Sequence, residues 1–424
     1  MNVRIFPRPL SGTVMAPASK SEAHRLLICA ALADHPARVH LNTSSEDIEA
    51  TLGCLRALGA GIEQIDEGLE ITPIDIQNIP DNPLLDCHEC GSTLRFMLPV
   101  AAALCGRASF TGSGRLPDRP IGELLEEMGR HGVRSSSNNL PLEIDGRLSP
   151  GDYCLPGNVS SQYITGLLMA LALLDGDSRL TLTSPLQSAA YVDITLAALA
   201  RFKINCKVRS DAQGHPTGYE VLKSSFHSPG TMAVGGDWSN AAFFLAAGAL
   251  GDSVSVTGLD TDSPQGDKKI VELLRGFGAK VDVRENEVVA SPGVLHAQSI
   301  DIDPTPDLLP ILAVIASCSD GVTTFFNGAR LRLKESDRIA ASAAMIRALG
   351  GTVQELSDKL IVTGTPLSGG EADGFHDHRI VMAVSIAAAR CSSNVIIRGA
   401  EAVNKSYPDF FKDYGTLGGE VHVL

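Results

Sequence analysis

The sequence contains no apolar run approaching the ~18 residues that a membrane-crossing helix needs, and its opening, "MNVRIFPRPL", lacks the long apolar core of a secretory signal. These absences make a cytoplasmic protein without membrane association the expectation. Positive charge is also short: 35 Lys and Arg face 49 Asp and Glu, a formal net charge of −14. Such a surface repels nucleic-acid backbones and anionic membranes, so no nucleic-acid partner is expected, and any anion must be held by a local site. Neither G-x-x-x-x-G-K-[ST] nor G-x-G-x-x-G occurs, which removes the usual support for ATP or NAD, and no cofactor is expected. The single C-x-x-C, "CHEC" at Cys87 to Cys90, has no second copy to complete a zinc site, and no metal is expected. The nine cysteines are odd in number and scattered through a chain too large to need disulfide staples, so they read as free thiols.

What the chain does have is an internal repeat. A helix ending in Leu-Gly or a close equivalent, followed by a β-like stretch, occurs as "LRALGAGIE", "EMGRHGVRS", "LARFKINCK", "LRGFGAKVD", "IRALGGTVQ" and "YGTLGGEVH". The anchors Gly59, Gly132, Lys203, Gly278, Gly350 and Gly418 are roughly 70 residues apart and suit left-handed helix ends. The same helices start near Asp47, Pro120, Asp193, Asp267, Asp337 and Asp409, where Asp and Pro are N-terminal signals. A more apolar, Ala- and Leu-rich helix precedes each. Six α/β units thus fill 424 residues, a length that calls for two domains. The expected division is 18–235, holding units one to three, and 1–17 plus 236–424, holding units four to six. "SPGTMAVGGDWSN" is read as a crossover, and the strand around Val3 to Pro9 as completing the second domain.

The apolar helices begin near Lys20, Gly91, Ser161, Trp238, Asp307 and His378, and polar residues gather there: "SKSEAHR", "ECGSTLR", "NVSSQ", "GDWSN", "TPD" and "HDHR". Helix starts carry backbone N–H groups and the positive end of the dipole. With Lys20, Arg25, Arg119, Lys334, Arg338, Arg379 and Lys405 added, they describe a cleft for a polyanion. A charge at the head of a buried helix needs a partner. For Lys20 that counter-charge is expected to be the substrate itself.

In order along the chain, "SKSEAHR", "GSTLRF", "DRPIGELL", "VSSQY", "YVDIT", "TPD", "LKESDRI", "DHRIVMA" and "KSYPDFF" resemble the 5-enolpyruvylshikimate-3-phosphate (EPSP) synthase family, from Lys20 to Phe411. The resemblance implies a two-domain enolpyruvyl transferase fold of six βαβαββ units, three per domain, with an interdomain active-site cleft. It implies transfer of the enolpyruvyl group of phosphoenolpyruvate to the 5-hydroxyl of shikimate 3-phosphate, releasing phosphate. It assigns Lys20, Ser21, Arg25, Ser160, Ser161, Gln162, Ser188, Asp307 and Lys334 to shikimate 3-phosphate. Lys20, Gly91, Arg119, Gln162, Arg338, Arg379 and Lys405 go to phosphoenolpyruvate. Asp307 would be the base for the hydroxyl, and Glu335, with Lys20 or Lys405, would handle the methylene proton. A monomer acting on small molecules is expected.

This chain departs from the family's common pattern at Glu89-Cys90-Gly91-Ser92, where N-A-G-T is frequent, at Phe96 after Arg95, and at Arg330. A sister family acting on UDP-N-acetylglucosamine shares the repeat, yet places a functional Cys five residues before its Arg-Pro. That position is Gly114 here. A silent anion-binding relative would have lost its acid and base, whereas Asp307, Glu335, Lys20 and Lys405 are all present.

Overall fold

The computed structural model describes residues 1–424 and contains six four-stranded sheets. The second unit shows the plan. Strands Leu84–Asp86 and Arg107–Thr111 pair in parallel and are joined by the helix Gly91–Leu104. The helix Gly122–Arg130 then leads to Arg134–Ser135 and Leu142–Asp145, which continue the sheet antiparallel, giving βαβαββ. The two helix types differ because their sequences do. Of the 14 residues in Gly91–Leu104, 12 are buried, as an apolar sequence without a polar face requires. Gly122–Arg130 buries only Leu124, Leu125, Glu127 and Met128, one side of an amphipathic helix.

All six repeat anchors have left-handed backbone: Gly59 (φ 100°), Gly132 (98°), Lys203 (63°), Gly278 (106°), Gly350 (84°) and Gly418 (92°). Only glycine takes this conformation without steric cost, so Lys203 gives up about 1 kcal/mol that the other five positions do not.

The chain divides into two compact units, Lys20–Val234 and Met1–Ser19 with Gly235–Leu424, each built on three sheets around its own apolar core. Two sequence expectations change in detail. The N-terminal segment forms two strands rather than one. Asn2–Phe6 inserts between Val395–Arg398 and Glu420–Val423, and Gly12–Met15 runs parallel to Val254–Thr257. Pro7 and Pro9 separate them, since proline cannot donate to a ladder. The crossover segment also holds a strand, Thr231–Ala233, parallel to Ala37–His40. Each unit's first βαβαββ repeat therefore takes its leading strand from a distant part of the chain.

The apolar helices start at Lys20, Gly91, Ser161, Trp238 and His378, while the one near Asp307 begins with a 3-10 turn, Pro306–Leu308, before Leu309–Ser317. Among the outer helices, the one expected near Pro120 starts at Gly122, that near Asp193 at Ala190, and that near Asp267 at Ile270 after the turn Gly266–Lys269.

The helices Gly91–Leu104 and Ser161–Leu171 approach so closely that a Cβ on Gly166 would lie 2.2 Å from the Arg95 carbonyl oxygen and 2.9 Å from Pro99 Cγ. Gly166→Ala is expected to cost about 1–3 kcal/mol and to lower the thermal midpoint by several degrees. An unchanged calorimetric midpoint would show that this contact does not set the helix separation.

Candidate active site

In the unit containing Gly235–Leu424, the polar residues at the helix heads form one ion-pair network. Its centre is Arg338, 1% exposed, at the start of the helix Arg338–Ala348. Its Nε donates to Asp377 Oδ2 at 2.8 Å, one terminal nitrogen to Asp307 Oδ1 at 2.5 Å, and the other to Glu335 Oε2 at 2.7 Å. Burial opposes the charge on this guanidinium, but the carboxylates of Asp377, Glu335 and Asp307 outweigh it and hold the pKa well above the usual arginine value. Asp307 also accepts from Lys334 Nζ at 3.4 Å and from Arg379 at 2.9 Å. The Lys334 ammonium is pushed below its ordinary pKa by burial, with Arg338 and Arg330 adding to this against Asp307 and Glu335.

Asp377 is fully buried, caps the helix His378–Ala388 through the Arg379 N–H at 3.0 Å, and accepts from Ser336 Oγ at 2.9 Å. Beside this network lies Asp267, 4% exposed and bonded to the Ser239 hydroxyl. Burial raises its pKa to about 6, the nearby Asp307 adds to the rise, and Arg379 opposes it. Lys405 donates to the His376 carbonyl at 2.8 Å.

The unit Lys20–Val234 disposes of its charges differently. Arg25, 2% exposed, donates to neutral oxygens: Thr195 Oγ1 at 2.8 Å, Thr165 Oγ1 at 3.2 Å, and the carbonyls of Ser21 at 2.5 Å and Tyr191 at 2.8 Å. Its guanidinium also lies 5.0 Å from the centre of the Phe96 ring. Burial lowers its pKa to about 10, which leaves it charged at neutral pH. Arg119 and Arg95 converge over the head of the helix Gly91–Leu104, so that a Cβ on Gly91 would sit 2.5 Å from a nitrogen of each. Arg95 donates to Gln162 Oε1 at 3.1 Å and to the Pro120 carbonyl at 2.9 Å. Gln162 Nε2 in turn donates to Ser92 Oγ at 2.9 Å.

Ser160 caps the helix Ser161–Leu171 through the Gln162 N–H, and Ser161 is buried. Ser188 is buried with φ 52°, a backbone strain of about 1–3 kcal/mol of the kind that collects at functional positions.

One expectation is corrected here. Lys20 does not wait for a substrate anion: its Nζ donates to Asp47 Oδ2 at 2.6 Å, both side chains being largely covered. Sequence reasoning gave no substrate or catalytic role to Arg95, Asp377, Asp47 or Asp267. Two signals were present. Arg95 is four residues after Gly91 and so shares its helix face. Contacts at a separation of 27 residues recur, in Lys20 with Asp47, His24 with Thr51, Asp303 with Arg330, and Asp307 with Lys334.

Six βαβαββ units with cations and hydroxyls at the heads of buried helices define an enolpyruvyl transferase fold. A solved enolpyruvyl transferase, NikO from Streptomyces tendae, superposes with a TM-score of 0.80 over 99% of this chain and 98% of that one at 19% identity. The family model described as EPSP synthase (3-phosphoshikimate 1-carboxyvinyltransferase) matches residues 6–414, and the chain belongs to that family. Relatives named 3-phosphoshikimate 1-carboxyvinyltransferase include one from Clostridium kluyveri, 40% identical, and one from Clostridium novyi, 39% identical. Both alignments cover 99% of this chain and 98% of the relative. A solved EPSP synthase from Acinetobacter baumannii, 25% identical, matches over the full length of both chains with a TM-score of 0.80.

Because Asp377 holds Arg338 and caps a helix from a fully buried position, Asp377→Ala should destabilise its unit by about 3–5 kcal/mol. Ser336→Ala, which removes a single bond, should cost only ~1 kcal/mol. Urea denaturation of the two variants checks the difference, and equal losses would contradict the central place of Asp377.

Proposed function

We propose that this chain transfers the enolpyruvyl group of phosphoenolpyruvate to the 5-hydroxyl of shikimate 3-phosphate and releases phosphate, a step of the shikimate route to aromatic amino acids. The observation that carries the reading is the network on Arg338. It holds two carboxylates available for proton transfer, Asp307 and Glu335, within one hydrogen bond of the cations that would attract an anionic substrate.

In this reading Lys20, Ser21, Arg25, Ser160, Ser161, Gln162, Ser188, Asp307 and Lys334 take shikimate 3-phosphate. Lys20, Gly91, Arg119, Gln162, Arg338, Arg379 and Lys405 take phosphoenolpyruvate, and Arg95 supports Gly91, Arg119 and Gln162. Each charge-assisted bond to a phosphate or carboxylate is worth roughly 1.5–3 kcal/mol, so a few cations overcome the repulsion from the acidic surface. Both arginines over Gly91 carry positive charge against a helix start, which favours an anion at that point.

Asp307 accepts the proton of the 5-hydroxyl as its oxygen bonds to C2 of phosphoenolpyruvate. Glu335, with Lys20 or Lys405, delivers a proton to the methylene carbon, which becomes a methyl group. The resulting tetrahedral adduct loses phosphate and a methyl proton, restoring the double bond as an enol ether. The arginines and lysines stabilise the anionic adduct and the leaving phosphate. In this reading the working form is a monomer acting on two small-molecule substrates. The nine unpaired cysteines and the lack of any helix long and apolar enough to cross a membrane support a cytoplasmic location.

The purified protein should release phosphate from phosphoenolpyruvate only when shikimate 3-phosphate is present. Release with UDP-N-acetylglucosamine instead would assign the sister reaction, and release with neither acceptor would make the chain non-catalytic. Within that assay, Asp307→Ala should lower kcat about 100-fold or more with a smaller change in substrate binding. Arg119→Ala should raise the KM for phosphoenolpyruvate roughly tenfold or more while kcat changes less. A loss confined to binding in the first variant, or an unchanged KM in the second, would contradict those roles.

A further inference from the structure

Three side chains beside Lys20 have no part in the chemistry above. His24 lies one turn along the helix Lys20–Ala31, Asp47 near the start of Glu46–Ala57, and Cys90 at the cap of Gly91–Leu104. A nitrogen, a carboxylate oxygen and a sulfur from the three lie within 4.8 Å of one another. His24 Nε2 and Cys90 Sγ are 3.8 Å apart. This is close to the separation of roughly 3.3–3.7 Å between neighbouring ligands of a tetrahedral Zn2+.

The imidazole is already oriented for such use. His24 Nδ1 is 2.7 Å from Thr51 Oγ1, which is itself 2.7 Å from Thr93 Oγ1, so a proton held on Nδ1 leaves the Nε2 lone pair facing Cys90. His24 and Cys90 are closed to solvent, whereas Lys20 and Asp47 keep 14% and 13% of their side chains exposed and form the way in. A cation already stands at this place, the Lys20 ammonium on Asp47.

We propose that His24, Asp47 and Cys90 form a binding site for Zn2+ or another thiophilic divalent cation, whose entry displaces the Lys20 ammonium from Asp47. The charges balance. Cys90 gives up its thiol proton to solvent, and thiolate plus carboxylate neutralise the dication, with the imidazole uncharged and a water as fourth ligand. Cys90 is one of the positions at which this chain departs from its family's common pattern, and sulfur there is what selects a soft cation over Mg2+ or Ca2+. Resting on the functional reading of Lys20 as a contact to both substrates, the cation acts as an inhibitor.

The test uses the full-length protein with Co2+ as the probe. The parent should bind one equivalent with a thiolate-to-cobalt charge-transfer band and the intense visible bands of a four-coordinate ion. Cys90→Ser keeps an oxygen to cap Thr93 and so should fold, yet it should lose the thiolate band. His24→Asn keeps a donor for Thr51, and it should bind about tenfold or more weakly. Absence of the band in the parent, or its persistence in Cys90→Ser through another cysteine, overturns the site. In the phosphate-release assay, Zn2+ should inhibit the parent at concentrations at least about tenfold below those needed for Cys90→Ser. A cobalt band without inhibition would overturn the displacement of Lys20. A parent inactive with shikimate 3-phosphate and no metal would overturn the functional reading, and the cobalt band would still decide whether the site exists.

Discussion

A helix buried along its whole length must still find partners for its first N–H groups, and this constraint organises the polar chemistry of both units. All 11 residues of His378–Ala388 are buried, as are all nine of Leu309–Ser317. Charged groups are placed at the ends of such helices, and within each unit the heads lie together. In the unit Lys20–Val234, Arg25 reaches Thr165, Gln162 reaches Ser92, and His24 meets Cys90, so the three heads are tied pairwise. In the other unit, Arg379 meets Asp307, and Asp267 is close enough to both for their charges to move its pKa.

The two units meet this requirement differently. Asp237 and Asp377 cap their helices with carboxylates, which suit the helix dipole but must then be neutralised in a dry environment. Arg338 supplies the neutralising charge for Asp377 and Arg379 pairs with Asp307, so both cations are held in place before any ligand arrives. In the Lys20–Val234 unit, Ser160 and Cys90 cap with uncharged atoms, and Arg25 bonds mainly to hydroxyls and carbonyls. The charge of Arg25 is thus met by neutral dipoles from three helices' residues rather than by a direct carboxylate contact among these bonds. Preorganised charge of this kind spares the reorganisation that solvent would need.

Gly91 shows how narrow the tolerances are. It is a helix start, but its lack of a side chain matters because Arg95 and Arg119 occupy the space a methyl group would take. Reading the chain identified Gly91 and Arg119 by resemblance and left Arg95 without a role. The packing shows all three to be parts of one arrangement. Lys20 carries the converse lesson: the demand for a counter-charge was a sound physical argument, yet the partner is Asp47, which comes from the next helix of the same repeat.

The sequence by itself determined the six-part period, the left-handed turns that close each outer helix and most of the buried helix starts, because caps, glycines and apolar periodicity act within a few residues. It also marked which polar residues stand at those starts. Only the tertiary structure decided which charge meets which. Arg338 with Asp377, Lys20 with Asp47 and the triad of His24, Asp47 and Cys90 depend on ångström-scale placement of side chains separated by 27 to 66 residues. The sheets that receive Asn2–Phe6 and Thr231–Ala233 were likewise beyond local reading. A short strand carries no record of its partner, and the partner is fixed by the edge left open when the rest of the unit has packed.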